Sequence, residues 1–186
     1  MQGEAAATHE IVDVDGLRQV YSQPNEKVWR KALRGLDEQS RNFIALSPFV
    51  CVGTSGPEGA NVSPRGDAPG FVRVLDDRTL ALPDQPGNNR IESMISLVSN
   101  PQIGLLFLVP GLQETLRIKG HARICRDATL LARCAGTGKP PICVLLITID
   151  EAFLHCPKAL NRSRLWQDDY RVDRADLATP GKMTAD

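Results

Sequence analysis

Seven short apolar or alternating segments dominate the chain from Phe49 onward: FVCVGTS, ANVSPRG, FVRVLDD, TLALPD, IGLLFLV, ETLRIKGHARICR and ICVLLITIDEAFLHC. Each is strand-sized and bounded by turn residues, and most of the links are tight, as in SGPEGA and DDR. Tight links join antiparallel neighbours, so the segments imply an antiparallel sheet closed into a small barrel. IGLLFLVPG is apolar throughout.

Helical periodicity fills the rest. Asp15 or Gly16 opens a short segment through Val20. After Pro24, NEKVWRKALRGL places Val28, Ala32 and Leu36 on one helical stripe, and LDEQSRNFIALS continues with Leu36, Phe43 and Leu46 before Pro48 ends it. GNNRIESMISLVSNP is the clearest helix. Ile91, Met94, Ile95 and Val98 fall on one face suited to pack on the barrel, with Asn89 as N-cap and Glu92 three residues on, as in a capping box. RDATLLARC and PKALNRSRLW predict two more helices, and the polar residues 170–186, with Pro180 and Gly181, predict a loosely docked tail. The organisation expected is a single domain over 1–186: N-terminal helices to 46, barrel over 47–156, C-terminal helix and tail over 157–186.

Composition narrows the function. Twenty-two basic residues balance twenty-two acidic ones, so no global field gathers nucleic acid or an anionic membrane. Five Phe, two Trp and two Tyr are too few to interleave with bases as a stacking platform, and core packing is the expected fate of Trp29 and Trp166. The N-terminus lacks a basic, then apolar, leader, and no run has the length of a membrane span, which gives a cytoplasmic protein as the expectation. Five cysteines without a C-x-x-C pair read as reduced, mostly buried thiols. His155 beside Cys156 has no second ligand pair, so no metal site is expected. Ser63 has no histidine at readable spacing, and Asp67 and Asp84 read as solvated turn residues, so a hydrolase is not indicated.

Two basic residues stand out. Arg65 interrupts NVSPRGDAPGF between apolar runs, where a turn needs only the glycine. Arg90 occupies what reads as a helical first turn, where the macrodipole already leaves positive charge; a cation there costs roughly 0.3–1 kcal/mol unless an anion binds too. LPDQPG delivers the chain to this point through a proline and a glycine, letting backbone N–H groups approach a ligand. Singly, each residue is compatible with a solvated surface or a plain cap. Together, two arginines, two asparagine amides and a helix start suit a phosphate monoester.

These features, in the order VSPRGDAP, LALPDQPGNNRIESMISLVSNPQIGLLFLVPG, ETLRIKGHARI and AFLHCPKALNRSRLW, resemble the flavin-binding split barrels related to pyridoxamine 5′-phosphate oxidase, over about residues 40–166. Within that family they are most similar to a subgroup of FMN-dependent proteins. The resemblance implies a mainly β (α+β) fold, a six- to seven-stranded antiparallel split β-barrel with flanking helices. It implies FMN as cofactor, with its phosphate on Arg65 and Arg90 beside Asn88 and Asn89, and Pro83, Asp84 and Gln85 along the ring or ribityl chain. It implies a homodimer in which Thr115 meets the partner's flavin and Lys158, Arg162 and Trp166 border the flavin edge or substrate space, and IGLLFLVPG suits a strand buried on both faces in such an interface. Arg117 or Lys158 would place positive charge by the pyrimidine edge, though Arg117 reads equally as an outward strand residue on one face with Thr115, Lys119 and a structural His121. True pyridoxamine 5′-phosphate oxidases carry a lysine shortly after the arginine and an R-x-H pair; GDAPGF and the tail supply neither. The function implied is an FMN-dependent oxidoreductase acting on an unidentified small molecule. The alternatives are a non-catalytic flavin sensor, carrier or store, or a deazaflavin- or haem-binding relative, with His155 as the candidate haem ligand.

Overall fold

The computed structural model describes residues 10–29, 31–135 and 140–177. The chain divides into two units, residues 1–31 and residues 32–186. In the first, helix α1 (Val14–Val20) is capped by Asp13, whose Oδ1 accepts from the Gly16 amide at 2.8 Å, and α2 (Glu26–Trp29) is a single turn.

The second unit holds the strands β1 (Phe49–Gly56), β2 (Gly59–Gly66), β3 (Arg73–Val74), β4 (Thr79–Asp84), β5 (Gln102–Leu108), β6 (Thr115–Cys125) and β7 (Cys143–His155). They form one antiparallel sheet in the order β2-β1-β5-β6-β7-β4-β3, with each expected segment on a strand. Sequence neighbours β2 and β3 thus lie at opposite edges. Seven flat strands would set those edges about 29 Å apart, whereas the Gly66-to-Arg73 link reaches at most about 25 Å even when extended, and it is not extended. Gly70 turns within it at φ 74° and its amide donates to the Ser47 carbonyl. The sheet must therefore curl until its edges approach, which makes a barrel split along one seam.

Gly120 assists the curl. A β-bulge between Lys119 and Gly120 shifts the β6–β7 register, and a Cβ at Gly120 would lie 2.2 Å from the Thr148 carbonyl oxygen. Inside the barrel, Val50, Val52, Leu80, Leu105, Phe107, Leu116, Ile118, Ile147 and Ile149 are almost fully buried. Helix α3 (Glu38–Leu46), capped by Asp37, adds Phe43 and Ile44 to this core. Helix α4 (Glu92–Ser99) adds Met94 and Leu97, while α5 (Ala128–Cys134) seals a smaller cluster on Ala81 and Val144. Helix α6 (Lys158–Ser163) follows β7.

Several expectations change. The stripe over residues 25–36 is no continuous helix: α2 stops at Trp29, and Leu33 bridges Ala152 instead. Val28's side chain, Pro180 and Gly181 lie outside the described residues. Leu36 is buried ahead of α3 and Leu46 is exposed, because the helix turns Phe43 and Ile44 inward. Helix α4 buries Ser93, Met94, Ser96 and Leu97 and leaves Ile91, Ile95 and Val98 exposed. Its small residues face in because α4 runs close over β1, where a Cβ on Gly56 would sit 2.9 Å from the Ser96 Cα. In β5, Ile103, Leu105 and Phe107 are buried whereas Leu106 and Leu108 are only half-buried, so within one chain a single face is covered. Trp29 is 62% exposed. All five cysteines are free thiols, and Cys156 is the exposed one. No helix among the described residues is long and apolar enough to cross a membrane.

Because the Thr148 backbone cannot yield without breaking the β6–β7 ladder, Gly120→Ala is expected to destabilise the protein by at least about 2 kcal/mol in urea unfolding.

Candidate functional site

The seam between β2 and β4 holds the candidate site. On β2 the alternation places Asn61, Ser63 and Arg65 on one half-buried face, with Val62 and Pro64 turned outward. Across the seam, β4 ends at Asp84, and residues 85–91 lead into α4. These elements and the start of β7 enclose a cleft of about 520 Å³ lined by Asn61, Ser63, Arg65, Asp84, Gln85, Asn88, Asn89, Arg90, Ser93 and Cys143, among others. Six of the residues singled out from the sequence therefore meet in one place, although Arg65 and Arg90 come from segments two dozen residues apart. Pro83 is buried in the ladder opposite Val144 just behind them.

The approach to α4 departs from the capping box. Asn89 and Ile91 both hold left-handed backbone, at φ 61° and 48°, and the helix starts only at Glu92, with Ile91 at its N-cap and no side-chain cap. Arg90 thus precedes the first turn. Its amide donates to Asn88 Oδ1 at 3.1 Å, and its guanidinium pairs with Glu92. A β-branched residue in the left-handed region is strained by about 1–3 kcal/mol, and such strain concentrates where loops clamp ligands. This left-handed pair, strained at Ile91, bends the chain so that Asn88, Asn89 and Arg90 border the cleft.

Neither arginine is a free cation. Arg65 Nη1 lies 3.1 Å from Asp84 Oδ1, an ion pair across the seam between side chains 27% and 15% exposed. Asp84 is therefore no solvated turn residue. Burial pushes its carboxyl above the ordinary aspartate range, and the Arg65 charge opposes that rise in part. Cys143, its ladder partner, is pushed up by burial and then by Asp84. With Arg65 against Asp84 and Arg90 against Glu92, the cleft is close to neutral.

A second cluster lies on the outer face of β6 and β7. Arg117 Nη2 contacts Glu151 Oε1 at 2.9 Å, Lys119 reaches the same oxygen at 3.3 Å, and the guanidinium sits 5.2 Å from the Phe153 ring centre. Among the described residues, the buried Arg117 Nε has no hydrogen-bond partner. The Phe153 ring packs edge-on to His155, ring centres 4.9 Å apart, and His155 is held below its ordinary value by burial and then by Arg117. His121, expected to be structural, is half-exposed and places Nδ1 2.7 Å from Asp150. Thr115 opposes His155 in the ladder; Arg162 Nε donates to the Lys158 carbonyl at 3.1 Å, and Trp166 Nε1 to the Leu112 carbonyl at 2.6 Å. Thr115, Arg117, Lys158, Arg162 and Trp166 do not line the Arg65 cleft of their own chain.

With this geometry in place, comparison with known proteins decides the family. The family model for pyridoxamine 5′-phosphate oxidase matches residues 36–156. The chain belongs to that family. Its fold is shared by the HupZ protein of Group A Streptococcus, at 20% identity and TM-score 0.53 over 64% of this chain and 93% of that one. It is shared too by an FMN-binding protein of Syntrophomonas wolfei, at 12% identity and TM-score 0.51 over 64% and 85% of the two chains. A Clostridium acetobutylicum protein related to general stress protein 26 of B. subtilis matches at 20% identity and TM-score 0.50 over 64% and 90%. No curated protein matches the sequence. The antiparallel split barrel with flanking helices expected from the sequence is thus the fold observed.

Asn61, Glu92, Ser93 and Cys143 complete the cleft and escaped the sequence reading. Asn61 had a signal: it stands two and four residues before Ser63 and Arg65, in phase on a strand. Its amide nitrogen is 3.5 Å from Ser93 Oγ, tying β2 to the start of α4. Cys143 enters only through the β4–β7 register.

Glu151 yields a stability prediction. Burial raises its carboxyl, but the hydrogen bonds from Lys119 and Arg117 outweigh this and hold it below its ordinary value of 4.5. A depressed carboxylate contributes stability above its unfolded value and loses it as pH falls through the folded one. Glu151→Gln is expected to lower the melting temperature at neutral pH, with the gap to wild type closing as pH drops below 4.5.

Proposed function

We propose that this chain is an FMN-binding flavoprotein and an FMN-dependent oxidoreductase acting on a small molecule. The observation that carries the reading is the convergence of Arg65, Asn88, Asn89 and Arg90 on one seam cleft. Family membership supports a flavin ligand, and the Syntrophomonas neighbour is itself an FMN-binding protein. In this reading Arg65 and Arg90 hold the phosphate, with Asn88 and Asn89 offering amide and backbone donors, and Gln85 and Asp84 lie along the ribityl chain. FMN supplies reversible hydride and single-electron chemistry, so the chain need only position it and shape access. That division of labour suits a cleft without a nucleophile and base in contact.

A homodimer belongs to the same proposal. Thr115, Arg117, Lys158, Arg162 and Trp166 stand apart from their own cleft, and the orphaned Arg117 Nε has donor capacity to spare for a group brought by a second copy. The half-buried outer residues Leu106 and Leu108 of β5 provide apolar surface for that contact. Sedimentation is expected to give about twice the chain mass of 20.3 kDa; a monomer that binds FMN fully would remove the second copy from the site.

Purified protein is expected to be yellow, or to become so with added FMN, and released chromophore should identify as FMN. Arg65→Ala and Arg90→Ala should each weaken FMN binding by about 1.5–3 kcal/mol, the worth of a hydrogen bond to a charged group, as read by flavin fluorescence. Unchanged affinity in both variants would place the phosphate elsewhere. Bleaching by a reduced nicotinamide and reoxidation by an acceptor supports catalysis, whereas a bound flavin inert to both supports a carrier.

A further inference from the structure

The guanidinium that the proposed phosphate needs is already engaged across the seam. We infer that Asp84 is a proton-coupled gatekeeper of this anion site, releasing Arg65 and taking up a proton when a phosphate monoester binds. The inference rests on the phosphate reading above. Only a proton moves, from solvent to an Asp84 carboxyl oxygen, and no bond of the ligand is made or broken.

The geometry leaves Asp84 little alternative. Its backbone is fixed in the β4–β7 ladder opposite Cys143, and its carbonyl accepts from the Ile142 amide at 2.9 Å, so the carboxylate can swing but the residue cannot withdraw. A phosphate on Arg65 therefore sits within a few ångströms of that carboxylate in a half-buried cleft, where two anions cannot both stay ionised without cost. From β2 Asp84 faces Arg65, and from β7 the Cys143 thiol. Arg126, before α5, acts on that thiol, while Arg90 and Glu92 line the cleft as a pair that neutralises itself. Arg65 is thus the cation opposing the effect of burial on Asp84, and it is the cation the phosphate would claim. Once protonated, Asp84 turns from a competitor into a donor toward a phosphate oxygen.

The test compares wild type with Asp84→Asn, which resembles the protonated residue, in FMN titrations from about pH 5.5 to about pH 8.5, with riboflavin as the ligand lacking phosphate. The variant is expected to bind FMN about tenfold tighter at the alkaline end, with the advantage shrinking as pH falls. The ratio of the two affinities cancels the titration of the phosphate itself, and the corresponding ratio for riboflavin, whatever Asp84→Asn does to the ribityl contact, should not vary with pH. FMN bound equally by both proteins at every pH, or more weakly by Asp84→Asn throughout, would overturn the gatekeeper and leave the phosphate reading standing. FMN bound by neither would overturn the phosphate reading itself. Should the variant not fold, calorimetry of wild type near pH 7 in two buffers of different ionisation enthalpy is expected to show net proton uptake with FMN. No uptake, or net release, would overturn the inference.

Discussion

The short link from Gly66 to Arg73 is the constraint on which the rest of the structure depends. It joins the two outermost strands of a seven-stranded sheet and is too short to span that sheet laid flat. Curling, the inward packing of Val50, Phe107, Ile118 and Ile147, and the bulge at Gly120, where a side chain would not fit, all follow from satisfying it. Closure also creates the site. Arg65 sits on the edge strand β2 and Asp84 on β4, next to the opposite edge, yet they make an ion pair, because the seam brings together what the ladder keeps apart.

A seam is a suitable place for a cofactor because no ladder hydrogen bonds cross it, so polar side chains from two strands can face one another across open space. Asn61, Ser63 and Arg65 occupy one wall, and the β4–α4 connection the other. That connection is shaped by strain: Asn89 and Ile91 hold left-handed backbone, and the packing of Met94 and Leu97 in the core anchors the helix beyond them. Gly56 lets α4 lie close over β1, which fixes where the strained turn must end. The outward-facing Ile91, Ile95 and Val98 are a by-product of that close approach, since only the serine-rich side of the helix fits against β1.

Strand existence and cleft membership were legible because they rest on local signals, period-two alternation and turn residues for the strands, charge set against polarity for Arg65 and Arg90. Helix details were less so. Asn89 and Glu92 have the spacing of a capping box, but a proline, a glycine and two asparagines in a row allow a left-handed turn instead, and tertiary closure selected it. The apolar stripe of α4 misled for a related reason: periodicity identifies an apolar face without saying which neighbour is present, and Ser93 and Ser96 are small enough to lie beside a glycine where isoleucine cannot. Asp84 was misread because its partner is nineteen residues away in sequence and across a seam visible only in three dimensions.

The same ion pair explains how the site can exist before a ligand arrives. Two guanidinium groups facing one cleft would repel each other, and Arg65, the one withdrawn from water, would lose hydration without compensation. Asp84 and Glu92 supply that compensation from within the chain, at the expense of the affinity that bare cations would give. Their surroundings differ. Glu92 is a flexible, largely hydrated partner beside an exposed Arg90, so its hold costs little to break. Asp84 is half-buried, fixed by its ladder and disfavoured as an anion, so it takes up a proton more readily than an ordinary aspartate. In the proposed mechanism one carboxylate yields by moving and the other by changing charge, and affinity for a phosphate would depend chiefly on the second.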